Sequence, residues 1–220
     1  EMAAAAGDRN IGVAYTYSEP GVWYEYVLDT ARLARARGLK NVLVTNGFIN
    51  PGPLAELLPA VDALNIDVKA FNEKFYREVC AGRLANVKRT VERAAAAAHV
   101  EVTCLVVPGL NDDPAELEAL AVWLAGVGKD IPLHFSRYFP NYRLDVPPTP
   151  LATLAAARAA ARRHLNYVYI GNMGGEGVNT HCPVCDLPVI DRLRRASRLT
   201  ADKKCPRCGS GIAVTGEVRF

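Results

Sequence analysis

The chain has 220 residues, half of them apolar and 22% charged, with a net charge of +3. That composition is enough for one sizeable core and a small appendage, and it excludes a disordered chain, a collagen-like repeat and a membrane-spanning helix, since no apolar run reaches spanning length. The basic excess has an address: residues 178–220 hold eight Lys and Arg against four Asp and Glu, which leaves the remainder slightly acidic.

In chain order, residues 1–6 read as the end of a helix stopped by Gly7 and Asp8. A chain that starts inside a helix with no Met at position 1 is expected to be part of a longer parent. Ile11, Val13, Tyr15 and Tyr17 then alternate with other residues as a strand. The strand runs into Ser18-Glu19-Pro20, and Val22, Tyr26, Val27, Ala31, Leu33 and Ala34 mark the following helix. Proline suits a first helical turn because its missing N–H has no partner there. Glu19 therefore stands where a strand hands over to a helix, either as a group for chemistry or as a complement to the helix dipole.

The alternation continues. Strands are predicted at 41–45, 63–68, 100–107, 131–136 and 167–170, and helices near 52–58, 72–79, 84–98, from Pro114, and from Pro150 to His164. Asp113, Pro114 and Glu116 form an N-terminal capping signature. Six apolar strands alternating with helices predict an α/β fold with a parallel sheet covered by helices. Polar residues at nearly every strand's C-terminal end favour a (β/α) barrel over an open doubly wound sheet. No Gly-x-Gly-x-x-Gly follows the first visible strand, which removes the dinucleotide signature. Residues 174–177 read as a linker, giving domains at 1–175 and 176–220.

Six cysteines occur, at Cys80, Cys104, Cys182, Cys185, Cys205 and Cys208. Nothing in the sequence reads as a signal peptide, so paired cysteines point to metal in a reducing cytoplasm rather than to disulfides. Cys182-Pro-Val-Cys185 and Cys205-Pro-Arg-Cys208, with 19 residues between the pairs, predict a four-thiolate zinc ribbon, zinc standing ahead of a single iron. A segment this short with so little apolar mass needs such a staple. At the strand ends, Asn46-Gly47 reads alone as a turn, Asp67 and Lys69 as a surface ion pair, and His134 as a structural histidine. Together with Glu19 they offer a carboxylate, an amide, an acid–base pair and an imidazole, a set that can grip a zwitterionic, sugar-bearing ligand.

Ala14-Tyr-Thr-Tyr-Ser-Glu-Pro20, Val44-Thr-Asn-Gly47, Asp67-Val-Lys69, Val106-Val-Pro-Gly109-Leu-Asn-Asp112, His134-Phe-Ser-Arg137 and Tyr169-Ile-Gly-Asn172 resemble, in order, the radical S-adenosylmethionine (SAM) enzymes. Within them the sequence is similar to pyruvate formate-lyase activating enzymes, and most of all to the radical SAM enzyme of the AmmeMemoRadiSam system, which also ends in two C-x-x-C pairs. The resemblance runs from about Gly12 to Cys208. It implies that Glu19 accepts the methionyl ammonium of SAM, that Thr45 and Asn46 end the neighbouring strand, that Asp67 and Lys69 form the Asp-Leu-Lys-like motif with Lys69 reaching the SAM carboxylate, and that His134 lies near ribose and adenine. Val44 stands where activating enzymes carry Asp, so the resemblance does not extend to their monovalent-cation site. The family's [4Fe–4S] cluster is held on Cys-x-x-x-Cys-x-x-Cys, and no such motif exists in these 220 residues.

The sequence therefore predicts a partial radical SAM barrel without its first strand, followed by a zinc ribbon. The parent is expected to cleave SAM reductively and abstract hydrogen from a substrate, by analogy a glycine of a partner protein, and the chain as given is expected to be inactive alone. The rival expectation is a non-catalytic barrel presenting a basic ribbon to nucleic acid or protein, through Arg192, Arg194, Arg195, Arg198, Lys203, Lys204 and Arg207. That segment has no interleaved aromatics, which sets nucleic acid behind.

Overall fold

A computed structural model describes residues 10–173 and 175–218. The helix end expected over 1–6, with Gly7 and Asp8, and Gly174 of the expected linker lie outside the described residues. Six strands form one parallel sheet in sequential order: β1 (Gly12–Tyr15), β2 (Lys40–Thr45), β3 (Ala63–Asp67), β4 (His99–Val106), β5 (Leu133–Arg137) and β6 (Val168–Gly171). Between them run α1 (Tyr24–Ala36), α2 (Pro51–Leu57), α3 (Glu73–Glu78), α4 (Leu84–Ala95), α5 (Pro114–Val127) and α6 (Leu151–Ala161). A second, antiparallel sheet follows, of β7 (Thr180–His181), β8 (Pro188–Asp191) and β9 (Ala196–Ser197). The chain divides into two compact units, Glu1–Thr103 and Cys104–Phe220. No helix among the described residues is long and apolar enough to cross a membrane.

In the first unit, strand alternation separates two faces. Tyr15, Asn41, Leu43, Leu64, Ile66, Val100 and Val102 are buried, and α1 packs against β1 and β2 on that side. The intervening Val42, Val44, Asn65 and Asp67 are partly or fully exposed on the opposite face. The buried face contains one polar pin. Asn41 accepts from the Tyr15 hydroxyl at 3.0 Å and donates to the carbonyls of Ala31 and Ala60, each at 2.9 Å. Burial, then the neighbouring Tyr26, pushes the Tyr15 phenol up to about 12, so it stays a donor. Gly12 is required by close approach: a Cβ there would lie 2.1 Å from the Lys40 carbonyl oxygen.

Three expectations need correction here. The first strand does not reach Tyr17, which lies beyond β1 with φ 57° and is 98% exposed. The helix does not start at once: Pro20–Trp23 is a 3₁₀ turn, whose three-residue period places Val22 off the phase of α1. The buried stripe of α1 is Val27, Leu28, Ala31 and Ala34, whereas Tyr26 and Leu33 face solvent. Leu33, six residues beyond Val27, falls well round the helix from that stripe.

In the second unit, Asp113 caps α5 by accepting from the N–H groups of Ala115 and Glu116. Leu133 and Phe135 are fully buried, α6 packs on β5 and β6, and α5 packs on α6. Asn111 is buried and closes the loop after β4, accepting from Val107 N–H and donating to the Leu105 carbonyl. Thr149, also buried, donates its hydroxyl to the Val106 carbonyl and accepts from Tyr138 N–H. These two residues tie the Val106–Asp112 segment and the loop before α6 to the end of β4.

Candidate functional site

The ends of β1, β2 and β3 lie side by side in the first unit, because those strands pair in register from Gly12 with Lys40 to Thr45 with Ile66. Glu19 is the N-cap of the 3₁₀ turn and accepts from Gly21 N–H at 3.3 Å. The dipole-complementing reading of Glu19 is thus satisfied, yet it uses only part of the carboxylate. The same oxygen accepts from the Thr45 hydroxyl at 2.5 Å, and the other accepts from Asn46 N–H at 2.8 Å. Thr45 Oγ1 in turn accepts from Gly47 N–H, and Asn46 Oδ1 accepts from Phe48 N–H. Asn46-Gly47 is therefore a turn as its composition suggests, and it is a turn built around Glu19. Gly47 has φ 70°, and a Cβ there would lie 2.7 Å from Ile66 Cγ2, so any side chain at this position is strained.

At the end of β3, Lys69 Nζ donates to Asp67 Oδ2 at 2.5 Å, with both side chains about one-third exposed. The backbone of Lys69 is fixed separately, its N–H donating to the Tyr76 hydroxyl at 3.0 Å. The structure thus brings Glu19, Thr45 and Asn46 into one network and Asp67 and Lys69 into a second. These groups can receive an ammonium on carboxylate and a carboxylate on ammonium, the two charges of an amino acid.

In the second unit, His134 lies opposite Tyr169 in the β5–β6 register, with ring centroids 5.0 Å apart and planes 22° from parallel. Tyr169 also carries the Arg192 guanidinium over its ring at 5.2 Å, and its hydroxyl lies 2.9 Å from Thr180 Oγ1. Sequence reasoning named His134 and missed both partners. In the sequence Tyr169 stands out only as part of a motif, and nothing in the spacing of Arg192 points to it.

The four predicted cysteines do converge. The sulfurs of Cys182 and Cys208 are 3.5 Å apart, those of Cys185 and Cys205 are 3.6 Å apart, and all four ligand atoms lie within 4.8 Å of one another. A tetrahedral ion with metal–sulfur bonds of about 2.3 Å places its sulfurs roughly 3.8 Å apart, which this group matches. Two similar knuckles build it. Asp186 N–H donates to the Cys182 carbonyl and Gly209 N–H to the Cys205 carbonyl, and Asp186 and Gly209 both have φ above +50°. Burial pushes the Cys205 thiol up, but N–H groups of Cys208 and Arg207 and the neighbouring thiols draw it down to about 6. The group is compatible with a metal ion. Arg162 bonds Asp186 at 2.5 Å, and Ala213 N–H donates to the Tyr167 hydroxyl at 2.8 Å, so the ribbon is fastened to the C-cap of α6 and to the residue just before β6.

These strand ends and this fold can be set beside known proteins. The Radical SAM superfamily matches residues 1–121, more than half of the chain. The chain belongs to the radical SAM superfamily. It is 44% identical over 212 residues to an uncharacterized protein of Methanocaldococcus jannaschii, which covers 92% of this chain and 63% of that protein. It is 29% identical over 120 residues to the benzylsuccinate synthase activating enzyme of Thauera aromatica, covering 53% of this chain and 36% of that enzyme. The chain thus spans less than two-thirds of the length of either relative. Among solved structures, a domain of the pyruvate-formate lyase-activating enzyme from Bacteroides vulgatus superposes with a TM-score of 0.64 at 17% identity, over 73% of this chain and 99% of that domain. At that identity the likeness is one of fold.

Membership of the radical SAM superfamily implies SAM and an iron–sulfur cluster, and the residues fit the two unequally. The strand-end charges of the first unit suit the zwitterionic end of SAM. The cysteines do not suit a three-thiolate cluster loop: Cys80 is exposed beyond α3, Cys104 is fully buried in β4, and the other four thiols already form their own group.

Proposed function

We propose that this chain is the SAM-binding barrel of a radical SAM enzyme of the activating type, residues 1–175, joined to a zinc ribbon, residues 176–220. The observation that carries the reading is the Glu19 network, in which one carboxylate gathers the ends of two neighbouring strands at the place the family motif requires. Glu19 takes the methionyl ammonium, and Thr45 and the Asn46 N–H fix its orientation. Lys69 takes the methionyl carboxylate, with Asp67 holding Lys69 until the ligand arrives. His134 is the residue the family resemblance offers for the adenosine end. When bound, SAM supplies a sulfonium whose reductive cleavage yields a 5′-deoxyadenosyl radical able to abstract hydrogen. The benzylsuccinate synthase activating enzyme among the relatives supports a protein as the substrate of the whole enzyme. The reading of the two C-x-x-C pairs as metal ligands rather than disulfides supports a cytoplasmic location.

Zinc is the proposed occupant of the ribbon, since four thiolates close a tetrahedral structural site and leave no open position. The chain by itself is proposed not to cleave SAM, because its sequence offers no Cys-x-x-x-Cys-x-x-Cys and zinc carries no electron. Anaerobic reconstitution with iron and sulfide, followed by SAM and dithionite, is expected to yield no 5′-deoxyadenosine from these 220 residues. Formation of 5′-deoxyadenosine would show that a cluster assembles on other ligands and would refute this part of the reading.

The binding-module rival loses most of its cations. Arg192 donates to the Val178 carbonyl and Thr180, Lys203 to the Val214 carbonyl, Lys204 pairs with Asp202, and Arg194 pairs with Asp191. Of the seven cations named for that rival, Arg195, Arg198 and Arg207 are left for a phosphate backbone, too few for strong salt-dependent binding.

A further inference from the structure

The second unit holds a contact chain that runs from His134 through Tyr169 to Arg192 and Thr180. Leu133 and Phe135 of β5 are fully buried, so His134 and Ser136 point to the other face of the sheet. The β5–β6 register sets Tyr169 beside His134 on that face, and Tyr167 two residues earlier shares it. Tyr167 and Tyr169 belong to the same buried cluster as Cys182, Leu187, Val189, Cys205 and Ile212. The ribbon therefore covers the His134 face of β6. Tyr169 is held there at two points: its hydroxyl at Thr180 Oγ1, and its ring under Arg192, whose own guanidinium is fixed on Thr180 Oγ1 and the Val178 carbonyl.

We propose that Tyr169 is a positioning residue for His134, and that the ribbon holds Tyr169 in place through Arg192 and Thr180. An imidazole free to turn about its side-chain bonds loses conformational entropy when a ligand orders it. A ring already stacked on Tyr169 has lost much of that freedom before SAM arrives. The ribbon then has a role in SAM binding without touching SAM, since an ordered ribbon supplies an ordered Tyr169. This inference rests on the assignment of His134 to the adenosine end, and the test separates the two.

The experiment uses the metal-loaded 220-residue chain, with two readouts: the ring-proton NMR signals of His134, identified by their loss in His134→Gln, and calorimetric titration with SAM. In Tyr169→Leu the His134 signals should move to the positions of an unstacked histidine, and SAM affinity should fall about three- to tenfold, the worth of one aromatic pair. Tyr169→Phe keeps the ring and should keep most of both. Arg192→Ala should move the His134 signals in the same direction by a smaller amount, and it decides the matter if Tyr169→Leu does not fold. In a His134→Ala background, Tyr169→Leu should cost no further affinity. Unmoved His134 signals in a folded Tyr169→Leu or Arg192→Ala protein overturn the proposal, and so does an affinity loss that persists undiminished in the His134→Ala background. If His134→Ala leaves SAM affinity unchanged, the adenosine assignment fails, and the ring signals alone decide the positioning role.

Discussion

The Glu19 network and the four-cysteine ribbon both gather polar groups from segments far apart in sequence, and they differ in what satisfies those groups. Around Glu19 the partners are protein: a hydroxyl and the N–H groups of Gly21 and Asn46 take the carboxylate, and Asp67 takes Lys69. In the ribbon the four sulfurs face one another, and the apolar cluster around them is small, with Tyr167 and Tyr169 joining Leu187, Val189 and Ile212. The first arrangement is satisfied by groups of the chain itself. The second is compatible with a coordination shell, in which a cation would remove the repulsion of close, ionised thiols.

The largest effect should come from breaking the second arrangement. Cys182→Ser with Cys205→Ser should reduce bound zinc from about one equivalent per chain to near zero by metal analysis, and it should make residues 176–218 a preferred site of limited proteolysis. A structural zinc site contributes about 10 kcal/mol or more to folding, so the ribbon should not stay ordered without it. Retention of metal would show that other ligands hold it.

A smaller effect is expected from the turn that carries the first arrangement. Gly47→Ala requires φ near +70° and a Cβ against Ile66, and should lower stability in urea unfolding by about 2–3 kcal/mol. Thr45→Val tests the network more gently. It removes the donor to Glu19 and the acceptor for Gly47 N–H, and should cost about 1 kcal/mol of stability while weakening SAM about fivefold. If stability falls and SAM affinity does not, the Glu19 network is structural only.

The smallest effect contrasts the two ends of the same strands. At the N-terminal end, Asp62 accepts from Lys40 Nζ at 2.8 Å and from Asn41 N–H at 2.9 Å. Burial pushes its carboxyl up, but these two donors outweigh burial and hold it below the usual carboxylate range. A lowered folded pKa means that the stabilisation is present above the ordinary Asp value and is lost as pH falls through the folded value. Asp62→Asn should therefore be about 1 kcal/mol less stable than the parent at pH 7, after allowance for solvent screening, and the gap should close in acid. A gap that stays constant down to pH 2 would assign the difference to packing.

Much of this was legible in the sequence because the signals had mechanisms. Periodicity gave the six strands within a residue or two, Asp113-Pro114 gave a helix start, and C-x-x-C spacing gave the ribbon. What stayed hidden depended on distance in sequence. Asn41 looks like an ordinary polar residue at a strand start, and only the fold brings Tyr15, Ala31 and Ala60 to it. The cations of the ribbon look like a binding face in composition, whereas four of them are engaged by neighbouring groups of the same segment. The 3₁₀ turn after Glu19 misled the helical phase at Val22, since a local period of three cannot be told from 3.6 over one turn.

The central claim is that the strand-end charges of the first unit hold SAM. Calorimetric titration of SAM into the parent chain, Glu19→Gln and Lys69→Ala tests it most directly. The account predicts weak but measurable binding by the parent, and a loss of about tenfold or more in each variant, because each removes a charge-assisted contact to the methionyl group. Equal affinity in all three proteins would contradict it.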